Sequence, residues 1–259
     1  MVSGKRLREA VKTRMEMKTS AGPAPVAIVA ALDRELGPLR SRASADLALI
    51  VTGEGAANVD RKLREWLRRV NPRAVIGLGF AGALSESLRA GDLIVVTEVR
   101  GSFSAHSSPE LAAAARKVSV EGVAVHHGVA ISVDRVVCEA AGKRALAKQL
   151  LPGETGCVDM ESAALARVCA EFGVPVLTVR AITDLVAEDL PVDFNRCRSS
   201  DGRVSELRVV TEALLHPRSI KGLLELRRRS RVSSERLALF VERLLVLLSQ
   251  ARSGGPEAP

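Results

Sequence analysis

The stretch GCVDMESAALARVCAEFGVPVLTVRAITD, residues 156–184, combines a helical pattern with the apolar run that follows it. Residues 160–172 carry apolar side chains at helical spacing, and Gly173 is a typical residue at the end of a helix. Residues 174–182 are short, apolar and rich in Val and Ile, which is typical of a buried strand. The stretch therefore predicts a helix that leads directly into a strand.

The same alternation runs through the preceding part of the chain. Five further apolar runs predict buried strands, at residues 26–32, 47–53, 74–82, 92–99 and 122–132. Helical patterns lie between several of them, at residues 57–70, 109–118 and 139–151. Alternating strands and helices predict a three-layer α/β/α sandwich with a mostly parallel or mixed central sheet.

The order of these patterns predicts four segments. A flexible basic N-terminal extension precedes a catalytic domain, a helical C-terminal extension packs on that domain, and a disordered tail ends the chain. The predicted bounds are residues 1–25, 26–204, 205–251 and 252–259. Residues 185–204 are polar and predict a mobile loop, and breaks in the C-terminal helices are expected at 216–217 and 233–234.

The composition narrows the classes of function. A net charge of +8 fits a nucleic acid, an anionic membrane surface or an anionic substrate as partner. One Trp, no Tyr and five Phe leave few aromatic rings on which bases could stack, so we expect no nucleic-acid partner. The basic C-terminal helices fit two interpretations, contact with a membrane surface or packing on the domain with their Arg heads exposed.

The cysteines and histidines point away from disulfides and metals. The four cysteines are Cys138, Cys157, Cys169 and Cys197. They form no C-x-x-C pair, which predicts reduced, mostly buried thiols. The adjacent His126 and His127 would point to opposite faces of a strand, so we expect no metal cofactor. Without a secretory leader or a run of 18 apolar residues, the predicted location is the cytoplasm.

Two glycine-rich patterns indicate close approach to a ligand. GLGFAG, residues 77–82, matches the G-x-G-x-x-G pattern, which makes an NAD(P)-binding oxidoreductase an alternative. Only ALSESLRAGD separates it from the next strand, which is too short for the usual crossover helix. We therefore expect these glycines to let the backbone approach another ligand. TGEGAANVD, residues 52–60, precedes a helix and is either an anion site or a plain turn.

Three acids are candidates for catalysis. Glu161 lies in the first turn of its predicted helix, whose positive end favours the ionised form. Asp184 ends a strand at the edge where open α/β sheets bind ligands, and burial there favours the neutral form. Glu35, in ALDREL, follows the first strand and can reach the same edge. An anion and a proton donor in one site are a typical division of labour between two carboxyl groups.

These residues lie in segments that resemble the nucleoside phosphorylase/nucleosidase superfamily. VDMESAALARVCAEFGVPVLTVRAITD is similar to its signature segment, in which a Met-Glu pair opens a helix and an R-A-[IV]-[ST]-D strand follows. IVAALDREL, GLGFAGALSESLRAGDLIVV and GVAISVDRVV resemble that family's other segments in order and spacing. The resemblance covers residues 26–184, and it is greatest to the methylthioadenosine/S-adenosylhomocysteine nucleosidase branch.

The resemblance implies cleavage of the N-glycosidic bond of a purine, adenine-type nucleoside, with no cofactor and with inorganic phosphate as a co-substrate if the enzyme is a phosphorylase. Glu161 would accept hydrogen bonds from the ribose hydroxyls, and Met160 would pack against the sugar. Asp184, beside Thr183, would protonate or hydrogen-bond the purine N7, and Glu35 would orient an attacking water.

The chain departs from that family at two of the positions that would line the substrate site. The remaining lining residues implied by the resemblance are Phe80, Ala81, Gly82, Val136 and Val137. Phe80 stands where a small polar residue is common, and Val136 replaces an aromatic residue that stacks on the base. SVDRVV, VDMES and the basic tail look more like the hopanoid-associated phosphorylase branch. That branch implies a lipid-linked, adenosylhopane-like substrate and a peripheral membrane contact.

Three questions stay open at this level. Glu35 favours hydrolysis, whereas a phosphorylase needs basic phosphate ligands, for which Arg180 and Arg135 are the candidates. The resemblance implies a homodimer or a larger homo-oligomer, on which the residues themselves say nothing. A non-catalytic nucleoside-binding or membrane-surface protein is the remaining alternative.

Overall fold

The computed structural model describes residues 24–42, 46–198, 208–209, 211–212 and 218–253. The strands are β1 (Val26–Ala30), β2 (Leu47–Val51), β3 (Ala74–Ala83), β4 (Leu93–Arg100), β5 (Ala105–His106), β6 (Val125–Ser132), β7 (Gly156–Asp159) and β8 (Val176–Asp184). The helices are α1 (Asp33–Leu36), α2 (Ala56–Leu67), α3 (Pro109–Ala115), α4 (Ala140–Ala147), α5 (Ser162–Phe172) and α6 (Arg218–Ser253), with a 3-10 helix at Gly37–Arg42. Each strand and helix predicted before residue 185 is present.

The strands form one mixed sheet. Its hydrogen-bonded order is β2-β1-β3-β7-β6-β4-β5, and β8 pairs with both β3 and β4. Through these pairings β3, β8, β4, β6 and β7 close into a ring. β5 and β7 were missed by the sequence patterns because they have only 2 and 4 residues, too few to display a period.

Helices cover both faces of the sheet, as the predicted sandwich requires. Successive side chains of β1 point to opposite faces, so Ile28 and Ala30 join one core cluster while Ala27 and Val29 join another. α2 and α5 complete the second cluster, and α6 completes the first. The continuous apolar runs seen in the sequence therefore reflect strands that are buried on both faces.

The C-terminal helix α6 is part of the core. Leu237, Phe240 and Leu244 are fully buried, and burial of each side chain of this size stabilises the fold by about 1.5–3 kcal/mol. The break expected at 233–234 is wrong, since α6 runs through both buried serines. Ser234 Oγ donates to the carbonyl of Ser230 (3.0 Å), one turn earlier, so the hydroxyl is satisfied without leaving the helix.

Several predictions lie wholly or partly outside the described residues. These are the N-terminal extension up to residue 23, the break at 216–217 and the tail from residue 254. The described part of the predicted mobile loop, residues 185–198, forms hydrogen bonds with the first residue of α4 and with Cys138 just before it. Leu190 N–H donates to the Cys138 carbonyl (2.7 Å), and Asp189 accepts from the Ala140 N–H (2.7 Å).

Candidate active site

A cleft of about 1230 Å³ opens where β1, β3 and β8 end, the edge at which α/β sheets bind ligands. It contains all ten residues proposed from the sequence to form the site. They are Glu35, Phe80, Ala81, Gly82, Val136, Val137, Met160, Glu161, Thr183 and Asp184. The structure therefore brings together residues that lie up to 149 positions apart in the chain, from Glu35 to Asp184.

Glu161 is held by the turn that precedes α2. It stands immediately before the first helical residue, Ser162, rather than in the first turn of the helix as predicted. Its Oε1 accepts a hydrogen bond from the backbone N–H of Gly55 (2.7 Å). The φ of Gly55 is 86°, a conformation that favours glycine. The TGEG turn thus holds a carboxyl group of the protein itself.

Glu161 is not simply the ionised group that its position near a helix start predicts. Burial raises the pKa of Glu161 to about 7, although Arg180 and the Gly55 N–H oppose this and Asp159 and Glu35 add to it. The helix start alone predicted a lowered pKa for Glu161, and that prediction was wrong. Desolvation and two neighbouring carboxyl groups outweigh the helix end.

Arg180 is the centre of a buried group of acids. Its Nη2 lies 2.5 Å from Asp159 Oδ2 and donates to Ser162 Oγ (3.0 Å). Burial alone lowers the pKa of Arg180, but Asp159, Glu161 and Glu35 outweigh it and raise the pKa. Its guanidinium is therefore committed to carboxylates. Arg135 lines the cleft and Arg180 does not, and the phosphate role suggested for either residue stays a prediction.

Asp159 was not identified from the sequence. It is 5% exposed at the end of β7, and its Oδ2 accepts from the Ser162 N–H (3.2 Å) at the start of α5. An Asp placed just before a helix is a typical N-terminal cap, so the VDMES segment did contain the signal. The cap and the ion pair with Arg180 are one structural unit, because the same carboxylate makes both contacts.

Glu35 is buried, and two backbone groups orient its carboxylate. Oε2 accepts from the Leu32 N–H (2.8 Å), and Oε1 accepts from the Phe80 N–H (3.0 Å). Burial raises the pKa of Glu35, against the opposing effects of these N–H groups and of Arg180. The prediction that Glu35 reaches the edge of the sheet is confirmed, and the carboxylate is fixed between β1 and β3.

The glycines of GLGFAG serve the packing of side chains within the sheet. They lie inside β3, not in a turn before a helix, which removes the structural basis for a dinucleotide site. A Cβ on Gly79 would lie 2.0 Å from Arg180 Nη1, and one on Gly82 would lie 2.9 Å from Asp184 Oδ2. The glycines thus admit functional side chains of β8, where the sequence predicted close approach of a ligand.

Asp184 carries an ion pair that the sequence did not reveal. The side chain of Lys143, on α4, donates to Asp184 Oδ2, and the Thr183 hydroxyl donates to Oδ1 (3.0 Å). The contact gives Asp184 a buried basic partner, and the role of Asp184 as proton donor stays a prediction. No pattern marks Lys143, because a single Lys in a helix usually lies on the surface.

Both departures from the family pattern have structural explanations. Phe80 stacks with Arg34, whose guanidinium carbon is 5.8 Å from the ring centre. Val136 is fixed by Asn195, whose side-chain amide accepts from the Val136 N–H (3.1 Å) and donates to its carbonyl (2.9 Å). The segment that would face the base is thus held by two hydrogen bonds between the Asn195 side chain and the Val136 backbone, and it carries no aromatic residue at this position.

The raised pKa of Glu161 predicts a pH-dependent effect on stability. Between its ordinary value of 4.5 and about 7, the folded protein binds more protons at Glu161 than the unfolded chain, so stability falls as pH rises. Replacing Glu161 by Gln removes this contribution. We expect the free energy of unfolding of E161Q to increase relative to that of wild type as the pH rises from about 5 to about 8. Urea unfolding measures this difference.

The matched control for this titration is Glu65→Gln, since Glu65 is exposed on α2 and 56% of its side chain is accessible. E65Q is expected to change the free energy of unfolding by less than about 0.5 kcal/mol at both ends of this pH range. A constant difference in the free energy of unfolding between E161Q and wild type across this range would contradict the assignment.

The family follows from a comparison with known proteins. The family model described as the phosphorylase superfamily matches residues 34–209 of the chain. The chain belongs to this superfamily. A 5'-methylthioadenosine/S-adenosylhomocysteine nucleosidase of Shewanella oneidensis is 29% identical over 196 residues, which cover 67% of this chain and 82% of the relative. The corresponding nucleosidase of Shewanella halifaxensis is 28% identical over 184 residues, or 62% of this chain and 79% of the relative.

Solved structures share the fold of this phosphorylase-superfamily chain. A nucleosidase of the same name from Neisseria meningitidis, in complex with methylthio-immucillin-A, has a TM-score of 0.66 at 20% identity, covering 85% of this chain and 98% of its own. The futalosine hydrolase of Helicobacter pylori has a TM-score of 0.66 at 17% identity, with coverage of 86% and 97%. The predicted family, fold and enzyme class are thereby confirmed.

Proposed function

We propose that this chain hydrolyses the N-glycosidic bond of an adenine-type nucleoside. The observation that carries the proposal is the charge balance of the cleft. Four carboxyl groups gather there, those of Glu35, Asp159, Glu161 and Asp184, around two buried cations, Arg180 and Lys143. The nucleosidase names of the relatives support the same reaction.

An excess of buried acids stabilises positive charge that develops in the cleft. Cleavage of a glycosidic bond proceeds through a sugar with oxocarbenium character. Glu161, whose pKa is raised to about 7, becomes more strongly ionised as that positive charge forms beside it. Electrostatic stabilisation of this kind acts in the transition state more than in the ground state. Met160, next in the chain, lines the cleft where the sugar would pack.

The leaving base is assigned to the Asp184 end of the cleft. Asp184 hydrogen-bonds the base nitrogen N7 and stabilises it once it carries a proton, so that the base departs as a neutral molecule. Val136 and Val137 also line the cleft and would offer apolar contact to the ring. General acid assistance to a leaving group contributes a factor of about 10²–10⁴ in rate.

Water is the proposed nucleophile. Glu35 has a carboxylate fixed by two N–H groups beside Phe80 and a pKa raised by burial, which suits a group that takes a proton from water. A phosphate dianion at the same place would meet Glu35, Glu161 and Asp159, while Arg180 is already paired. Like-charge repulsion in a desolvated site is large. The charge balance therefore favours hydrolysis over phosphorolysis.

The size and lining of the cleft support a nucleoside with a large apolar substituent. About 1230 Å³ exceeds the 300–1,000 Å³ of ordinary ligand pockets. One side is apolar and is built by the loop after β8 and by the start of α6, from Leu190, Phe194, Ile220, Leu223, Leu224 and Leu226. An adenosine carrying a lipid at its 5′ carbon, such as an adenosylhopane-like compound, would fill this side.

The mouth of the cleft supports a peripheral contact with a membrane. Ile220 and Leu224 are 40% and 61% exposed, and Arg227 and Arg231 line the cleft beside them. An apolar strip flanked by Arg is typical of helices that lie at a lipid surface. Within the described residues, none of the helices has the length and apolar character needed to span a bilayer. The proposed contact is therefore superficial.

The reaction is tested with purified protein and adenosine, with and without phosphate. We expect adenine to be released at the same rate in both cases. Chromatography of the free base measures this rate. Release that depends on phosphate would show that the enzyme is a phosphorylase and not a hydrolase. A lack of base release from adenosine and from every 5′-alkylthioadenosine would contradict the proposed function and favour a non-catalytic nucleoside-binding protein.

The apolar side of the cleft predicts a dependence on the 5′ substituent. Each buried CH₂ contributes about 0.8 kcal/mol, or roughly a factor of 4 in kcat/KM, until the cleft is filled. We expect kcat/KM to rise from methylthioadenosine to octylthioadenosine. The rise should be smaller in the variant Leu223→Asn, because Leu223 belongs to the apolar side of the cleft. Equal kcat/KM values along the series would contradict a lipid-linked substrate. Sedimentation with anionic vesicles tests the membrane contact separately.

A further inference from the structure

The C-terminal helix α6 is joined to the chain just after β8 by the side chain of Arg229. Nη1 of Arg229 donates to Glu188 Oε2 (2.7 Å), and Nη2 donates to Glu188 Oε1 (3.2 Å). Charged, bidentate contacts of this kind are roughly twice as strong as neutral hydrogen bonds and fix the geometry of both groups. Hydrogen bonding by Arg229 lowers the pKa of Glu188, so the pair is charged at neutral pH. Nε of Arg229 donates to Glu225 (3.0 Å), one turn earlier in α6, which sets the direction of the guanidinium.

The contacts of this pair reach the backbone on both sides of Asp184. Nη1 of Arg229 also donates to the carbonyl of Thr183 (3.3 Å), immediately before Asp184. Glu188 Oε2 accepts from the backbone N–H of Leu185 (3.0 Å), immediately after it. Neither Arg229 nor Glu188 is among the described residues that line the cleft, so their effect on a substrate would pass through residues that do. Asp184 is the cleft residue that lies between the two backbone groups held by the pair.

We propose that Arg229 and Glu188 form a clamp by which α6 positions Asp184 for the proposed cleavage. The inference rests on the proposed function and adds two positioning residues to it. Among the described residues of α6, the buried apolar side chains begin at Leu237, about two turns beyond Arg229. Ser230, next to Arg229, lines the open cleft. The clamp therefore ties the part of α6 that borders the cleft to the strand end that carries the acid.

The position of Asp184 matters because a carboxyl group assists a leaving base only when its oxygen reaches the base nitrogen. A displacement of about 1 Å can lower the rate by a factor of about 10². The loss appears in kcat rather than in KM when the displaced group acts chiefly in the transition state. The side chains of Arg229 and Glu188 are 22% and 36% exposed, so we expect the fold to survive the loss of their ion pair. Without the clamp, cleavage should be slower while binding of the nucleoside is nearly unchanged.

The test measures kcat and KM for release of adenine from adenosine in Arg229→Met, in Glu188→Ala and in the double variant. Each single change is expected to lower kcat by about tenfold or more and to change KM by less than about threefold. The double variant should be little slower than either single variant, because both changes break the same contact. Arg228→Met is the matched control and should keep the wild-type kcat, since Arg228 also pairs with Glu225 (2.7 Å) but is 67% exposed. Wild-type kcat in both R229M and E188A would overturn the clamp.

A merely structural role of Arg229 is distinguished by adding Arg229→Met to Asp184→Asn. A clamp that acts through Asp184 has little left to position once the acid is replaced. The single-turnover rates of D184N and of D184N/R229M are therefore expected to agree within about twofold. A further loss of about tenfold in the double variant would mean that Arg229 supports the cleft as a whole, and it would overturn the positioning role.

Hydrogen exchange of backbone amides, followed by mass spectrometry, tests the clamp without a substrate. Residues 185–188 are expected to exchange at least about tenfold faster in R229M and in E188A than in wild type, and at the wild-type rate in R228M. Unchanged exchange in R229M and E188A would overturn the clamp while leaving nucleoside cleavage intact. Faster exchange in a protein whose wild type releases no adenine would support the clamp and overturn the proposed function instead.

Discussion

Replacing Asp184 by Asn is expected to lower kcat/KM for adenosine by about 10²–10⁴-fold, the usual contribution of a group that assists proton transfer to a leaving group. Asn has the same shape but cannot relay a proton or balance the charge of Lys143. The loss should appear in kcat, because the interaction with a protonated base exists only in the transition state and not in the bound nucleoside. Single-turnover release of adenine measures this step directly.

Stability must be measured in the same variant, since D184N leaves the buried Lys143 without its carboxylate. Urea unfolding separates a folded, inactive enzyme from an unfolded one. Asp33→Asn is the matched control, because Asp33 is 69% exposed and pairs only with Arg40 at the surface among the salt bridges of the described residues. Wild-type kcat in folded D184N would remove Asp184 from the mechanism.

Replacing Arg180 by Met is expected to reduce the free energy of unfolding by about 3–5 kcal/mol, the typical cost of breaking a buried ion pair. Met fills much of the same space between β3 and β8, so the loss reflects charge rather than a cavity. Asp159, Glu161 and Glu35 would all lose their buried cationic partner. The loss should grow as pH rises, because these carboxyl groups must then ionise without a partner.

Urea unfolding of R180M at two pH values tests this expectation. Arg69→Met, a change at a 75% exposed surface ion pair with Glu65, is the control and should alter stability by less than about 0.5 kcal/mol. A loss below about 1 kcal/mol in R180M, independent of pH, would mean that the acids around Arg180 are not ionised in the folded protein.

The sequence by itself determined the fold class and much of the membership of the site. Apolar runs of Val and Ile separated by helical patterns depend on local spacing, which a single chain displays directly. The acids Glu35, Glu161 and Asp184 stand at strand ends or at a helix start, and parallel strands bring such ends to one edge of a sheet. Their convergence on one cleft could therefore be predicted.

What the sequence could not determine is the protonation of those acids, because a pKa depends on neighbours that are distant in the chain. The position of Glu161 at a helix start predicted an ionised carboxylate, whereas its surroundings in the folded protein raise its pKa. Glu161 comes to lie beside Asp159 and Glu35, which with burial raise its pKa to about 7. Asp184 meets Lys143, 41 residues away and inside the core.

The tertiary structure also decided what the glycines of β3 are for. A glycine pattern reports that space is needed but not which group occupies it. In the folded chain the space at Gly79 belongs to Arg180 and the space at Gly82 to Asp184, side chains of the adjacent strand β8. Local patterns thus specified the elements and their ends. Which charges face one another was determined only when α4 and β8 packed onto β3 and β7. Coulomb energies depend on distance in space and on burial, not on position in the sequence.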